Sequence, residues 1–97
     1  MIVSFGDQAT EDLFHGRSTS KTRRFPRDIV ASAQLKLDML NAAASMMDLR
    51  APPGDRLEAL KGDLKGYHSI RVNDQWRLVF RWDRNHVHEV RLTDYQD

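Results

Sequence analysis

The chain has 97 residues, 40% of them hydrophobic and 30% charged, and a formal net charge of +1. That is room for one domain with a modest core, and too little chain for a dinucleotide-binding fold or a multidomain enzyme. The lack of cysteine excludes disulfides, thiol nucleophiles and Cys-ligated zinc, and no run approaches the ~20 apolar residues of a membrane span. The opening MIVSFGDQATEDLF has neither a basic n-region nor a long apolar segment. The expected location is therefore the cytoplasm, and the expected organisation a single domain over 1–97.

Charge is unevenly spread. Arginine outnumbers lysine 11 to 4, a bias toward planar, multi-donor contacts with phosphate or carboxylate. Residues 17–27 carry five positive charges (Arg17, Lys21, Arg23, Arg24, Arg27) and no acid, and residues 61–91 carry seven against four acids. The acids collect in the first helix and through 28–58. A nearly neutral total thus conceals a charge-segregated molecule, suited to an anionic ligand on one side and a different partner on the other.

In chain order, Ile2–Phe5 predicts a short strand. Asp7 then caps a short helix that ends near Gly16, with Leu13 and Phe14 as its apolar anchors. Residues 16–26 (GRSTSKTRRFP) are polar, basic and aperiodic, the pattern of an exposed, mobile loop. Pro26 and Asp28 open a long helix in which Ile29, Ala33, Leu37, Leu40, Ala44 and Met47 recur at three- and four-residue steps. It runs to the terminator Ala51–Pro52–Pro53–Gly54. Met39, Met46 and Met47 fall at core spacing, or at the edge of a partner-facing strip.

Beyond the terminator, 56–60 reads as a strand and KGDLKG at 61–66 as a glycine-bounded loop. Segments 67–72, 76–82 and 86–93 alternate like antiparallel strands. One face carries His68, Ile70, Val72, Trp76, Leu78, Phe80, Trp82, His86, His88, Val90 and Leu92. The other carries Ser69, Arg71, Arg77, Val79, Arg81, Val87, Glu89, Arg91 and Thr93. Three-residue loops at 73–75 and 83–85 would pair Val72 with Trp76, Ile70 with Leu78, Trp82 with His86 and Leu78 with Val90. The same register aligns Arg71, Arg77 and Arg91 across three strands, a row of like charge that needs acids or a polyanion to neutralise it. Glu89 and Asp94 are the acids near enough to help. The expected fold class is α+β: an antiparallel sheet of about four strands packed on N-terminal helices, one short and one long.

A basic sheet face of this size suits a nucleic-acid strand or a phosphate, because phosphate contacts need Arg and Lys and no elaborate pocket. Cleaving RNA by attack of a 2′-hydroxyl on the adjacent phosphate needs a proton acceptor, cations for the phosphorane charge, and an acid or cation for the leaving oxygen. Arg77, Arg71, Lys61, Glu58, Asp94 and Tyr95 are the candidates on or beside that face. Arg77, on the central strand, is the expected phosphate clamp. Arg91, Arg81 and Lys65 extend the RNA-binding surface, and Lys21, Arg23 and Arg24 add charge from the 16–26 loop. No metal or cofactor is expected: His86-x-His88 lacks a third ligand and lies at the end of the apolar face, and Gly62 and Gly66 flank an ordinary turn.

The run PPGDRLEALKGDLKGYHSIRVNDQWRLVFRW at 52–82, with Asp94–Tyr95 after it and Thr10, Glu11, Leu13, Phe14 and Gly16 before it, resembles the HigB-type toxins of bacterial toxin–antitoxin modules. The resemblance spans essentially the whole chain. It implies the RelE-like fold and a ribosome-dependent endoribonuclease that cuts translated messenger RNA in the decoding site. It also implies a HigA-like helix-turn-helix antitoxin that neutralises the toxin and carries the complex to operator DNA. Residue by residue, the family's central-strand arginine falls on Arg77 and its companion cations on Lys61 and Arg71. A catalytic histidine of the family falls on Glu58, and the family's Asp-Tyr-His ending reads Asp94–Tyr95–Gln96. Proton transfer would then rest on Glu58, Tyr95 or Asp94. The other reading compatible with those departures is a ribosome-binding or ribosome-maturation-disturbing toxin with weak or no nuclease activity.

Overall fold

A computed structural model describes residues 1–50 and 53–94. Helix α1 spans Gln8–Phe14, and the Asp7 carboxylate caps it by accepting from the Thr10 amide at 2.8 Å. Gly16, at φ +71°, turns the chain out of it. Helix α2 spans Arg27–Ala42 and buries Ile29, Ala33, Leu37 and Leu40, the first four positions of the expected stripe.

The stripe then ends earlier than its periodicity implied. Ala43 is extended, and a separate helix α3 covers Met46–Arg50. The break has a local cause: the Asp48 carboxylate accepts from the amides of Ala44 (2.8 Å) and Ser45 (3.3 Å), so Ser45-x-x-Asp48 starts a new helix. Met47 is consequently exposed at 66%, whereas Leu49 is buried. Of the residues expected to terminate the long helix, Ala51 and Pro52 lie outside the described residues, and Pro53 and Gly54 open the tight turn Pro53–Asp55.

Strands β1 (Glu58–Ala59), β2 (Tyr67–Arg71), β3 (Trp76–Asp83) and β4 (His86–Asp94) form one antiparallel sheet in that order. The helices cover one side of it. Phe80, Ile70, Leu78, Val87, Val90 and Leu92 from the sheet meet Leu37, Leu40 and Leu49 from the helices in one core. The first hairpin has the expected register: Ile70 opposes Leu78 and Arg71 opposes Arg77. Its turn is fixed by Asn73, whose side-chain oxygen accepts from the amides of Gln75 (2.8 Å) and Trp76 (2.7 Å).

The second hairpin departs from expectation twice. Its loop has two residues, Arg84 and Asn85, at φ +52° and +62°, a turn whose twist matches that of the strands. Asp83 therefore opposes His86, and Trp82 opposes Val87. This one-residue slip exchanges the faces of the strand's start, so Val87 enters the core and His88 opposes Arg81 on the other side. A bulge with Glu89 at φ +55° then inserts one residue and returns Val90 and Leu92 to the core side, where alternation had put them. The two displacements add, so Leu78 opposes Leu92, and Arg77 opposes Thr93, not Arg91.

The bulge also shapes the N-terminal segment. Ile2 and Phe5 make isolated parallel bridges to Val87 and Val90, on either side of Glu89, where the sequence predicted a continuous strand. A Cβ on Gly6 would stand 2.9 Å from the Glu89 carbonyl oxygen, so the close approach requires glycine. No helix among the described residues is long and apolar enough to cross a membrane.

Candidate functional site

The side of the sheet away from the helices carries Glu58 on β1, Ser69 and Arg71 on β2, Arg77, Val79 and Arg81 on β3, and His88, Arg91 and Thr93 on β4. Arg71 and Arg77 stand directly across from each other, an unfavourable pairing unless each is compensated. Each is. Arg71 forms an ion pair with Asp74 at the hairpin turn. Arg77 donates through Nη2 to the Arg56 carbonyl at 2.8 Å, and its Nη1 lies 3.5 Å from Glu58 Oε1. The acids expected to neutralise the row, Glu89 and Asp94, serve Arg81 and Gln75 instead.

Arg77 is less exposed than its place on a solvated face implied. Its side chain is 12% accessible, whereas Glu58 beside it is about half exposed. A rigid guanidinium next to an accessible carboxylate is a pair that can hold a phosphate and take up a proton within one hydrogen-bonding reach. Arg81 is held by Glu89 at 3.0 Å and by Asp83 at 4.0 Å. The hydrogen bond to Glu89 raises the Arg81 pKa, and the same bond, aided by Tyr67, holds the Glu89 carboxyl below its ordinary range. Arg91 opposes Val79 and is exposed, one pair removed from the position expected for it.

The remaining candidates divide into four groups. Lys61 and Lys65 are exposed at the two ends of the tight turn Gly62–Leu64, between β1 and β2. Asp94 opposes Trp76, on the alternation opposite to Arg77, and accepts from Gln75 Nε2 at 3.0 Å, so strand pairing turns it away from the arginine pair. Tyr95 and Gln96 lie outside the described residues.

Lys21, Arg23 and Arg24 belong to a different surface. Phe25 is buried and packs edge-on against Trp76 at 5.6 Å, which fixes the 16–26 loop to the core side of β3. The loop expected to be mobile is also tied down along its length. Arg17 pairs with Asp12 at 3.5 Å, Thr19 donates to Asp12 at 3.0 Å, and Arg24 pairs with Asp7 at 3.2 Å. Two of its cations, Arg17 and Arg23, border an open cavity of about 670 Å³ with Leu13, Phe25 and Val30 in its walls, whereas Lys21 and Arg24 lie beside Asp7 and Gln8. The basic loop and the arginine pair are thus separate features, a distinction that charge counting along the chain does not make.

His86 and His88, expected together at the end of the apolar face, are both moved to the other face by the two-residue turn. His86 is exposed with Nδ1 3.0 Å from the Arg84 carbonyl, and His88 faces Arg81. His68, by contrast, stacks on Phe80 on the helix side, and burial, aided by the Arg50 charge, lowers its pKa. Two residues near the arginine pair escaped the sequence reading. Arg56 contributes only its carbonyl, and Asp55 is wholly buried against Lys36. A backbone acceptor leaves no signature in side-chain chemistry, and no periodicity links positions 36 and 55.

Residues 3–96 match the model of the RelE-like toxin of type II toxin–antitoxin system HigB. The chain is 41% identical to Toxin HigB-1 of Vibrio cholerae over 97 residues, covering all of this chain and 96% of that one. It is 30% identical to Endoribonuclease HigB of Proteus vulgaris over 95 residues, covering 98% and 99% of the two chains. Among solved structures, the YoeB dimer of Staphylococcus aureus is similar with a TM-score of 0.59 and 25% identity, over 100% of this chain and 98% of that one.

Proposed function

Because the chain belongs to the HigB-like family of RelE-like toxins of type II toxin–antitoxin systems, we propose that it is a ribosome-dependent endoribonuclease that cuts messenger RNA during translation. The observation that carries the reading is the cluster of Arg77, Arg71 and Glu58 on the sheet face free of helices. In this reading the 2′-hydroxyl of the substrate attacks the adjacent phosphorus, and the bond to the 5′-oxygen breaks. Arg77 clamps the non-bridging oxygens and stabilises the charge that grows on them. Arg71 and Lys61 share that load, so positive charge at the phosphate comes from side chains without calling on a metal. Glu58 takes the proton from the 2′-hydroxyl, and Tyr95 protonates the leaving oxygen. The ribosome supplies orientation of the substrate, which lets so small a set of groups suffice. Asp94 has the weakest claim of the candidates, since it lies across from Trp76.

The partners proposed with this activity are the translating ribosome with its mRNA and a HigA-like helix-turn-helix antitoxin, which brings the complex to operator DNA. The proposed setting is the cytoplasm, and the unit is one toxin domain over 1–97. Expression with and without the candidate antitoxin, followed by mapping of new 5′ ends on translated mRNA, tests the reading. Cuts within codons that disappear when translation is blocked are the expected result. Growth arrest without such cuts would instead select a ribosome-binding toxin with weak or no nuclease activity, the reading favoured by Glu58 and Gln96 where relatives offer imidazole.

A further inference from the structure

Asp55 lies in the turn Pro53–Asp55, is fully buried, and its side chain forms an ion pair with Lys36 on α2, itself only 18% exposed. Its second carboxylate oxygen is buried too, and has no hydrogen-bond partner among the described residues. A buried carboxylate with a single partner is a poor device for stability, because desolvation offsets most of the attraction. Its place in the chain suggests another use. The next residue, Arg56, sits at φ +45°, a conformation that costs a non-glycine residue energy unless its surroundings hold it. The carbonyl of that strained residue is the acceptor for Arg77 Nη2, and Glu58, two residues on, faces Arg77 Nη1.

We infer that the Lys36–Asp55 pair is a positioning device for Arg77: it anchors the turn to α2, and so fixes the Arg56 carbonyl and Glu58 that orient the guanidinium. Neither residue touches the substrate. The inference rests on the proposed role of Arg77, but the geometry it predicts is measurable without any nuclease activity.

The probe is the Arg77 side-chain Nε–H resonance of the free protein, with single-turnover cleavage on translating ribosomes as the second readout. Asp55→Asn keeps the shape of the side chain and removes its charge. It is expected to shift the Arg77 resonance, to leave ribosome affinity within twofold, and to slow cleavage about tenfold. In an Arg77→Ala background the same substitution should have no further effect, because a residue acting through Arg77 has nothing left to act on. If Asp55→Asn does not fold, the double variant Lys36→Met with Asp55→Leu, which buries no charge, is read by the same criteria.

An Arg77 resonance unmoved in the folded variant overturns the inference. So does an equal slowing with and without Arg77. A shifted resonance in a protein whose wild type cuts no mRNA upholds the positioning and overturns the proposed nuclease.

Discussion

Replacing Arg77 by alanine separates the contributions of this residue to fold and to chemistry. Sequence alone argues that the change relieves crowding with Arg71 and leaves stability unchanged or slightly higher. The structure reverses the sign. The guanidinium is largely buried, donates to the Arg56 carbonyl at 2.8 Å and lies 3.5 Å from Glu58. Loss of a charged hydrogen bond costs about 1.5–3 kcal/mol, and the half-exposed Glu58 contact adds at most about 1 kcal/mol. Relief of repulsion from Arg71, about 0.2–1 kcal/mol, offsets part of that. The net expectation is a loss of roughly 0.5–4 kcal/mol, centred near 2, and a melting temperature lower by roughly 4–8 °C per kcal/mol for a domain of this size. Cleavage should fall much further. Removing one group that stabilises transition-state charge costs about 10²-fold or more, equivalent to about 2.7 kcal/mol. Arg77→Lys should recover part of it, since an ammonium cannot present two parallel donors. The assay pairs a melting curve with 5′-end mapping on translating ribosomes. An Arg77→Ala protein that is folded at the assay temperature and cuts at the wild-type rate would remove Arg77 from the site and move the phosphate clamp to Lys61 and Arg71.

Other outcomes follow from features away from the arginine pair. His68 is held neutral by burial, with its pKa below the ordinary 6.5. On acidification through that value the unfolded chain takes up a proton that the folded chain refuses, so stability should fall from about pH 6.5 down to the lowered folded pKa. Denaturant midpoints at intervals from pH 7.5 to 5 measure the slope, and His68→Gln should flatten it. Asn85→Gly places glycine at a φ of +62°, where a two-residue hairpin turn favours it. Relief of about 1 kcal/mol of left-handed strain, against about 0.4–1 kcal/mol of added unfolded-chain entropy, should leave the midpoint unchanged or slightly higher. A clearly lower midpoint would contradict the two-residue turn. Neutralising Lys21, Arg23 and Arg24 together should weaken ribosome binding and make it less sensitive to salt. The position of cleavage should stay the same, because their loop packs through Phe25 against Trp76, on the core side of β3, and not on the face with Arg77.

The amino-acid sequence was sufficient for what depends on neighbours along the chain. Asp7 as a helix cap, the stripe from Ile29 to Leu40, the first hairpin with Arg71 across from Arg77, and the α+β class all rest on periodicity, capping and turn chemistry. Each of these acts over a few residues, and the family resemblance agrees with them across the whole length. What the tertiary structure decided has a common physical origin. Glu89 and Arg84 occupy left-handed backbone that their residue types disfavour, and the packing of Val87, Val90 and Leu92 into one core holds them there. That choice displaced the strand by two positions and set Thr93, not Arg91, beside Arg77. The break before α3 was legible in principle, since Ser45-x-x-Asp48 is a helix-start pattern, but the longer apolar stripe outweighed it. The surroundings of Arg77 had no such signal. A backbone carbonyl from Arg56 and a buried pair joining positions 36 and 55 arise only when the turn after α3 folds back against α2, because burial and hydrogen bonding between distant segments are properties of the packed chain.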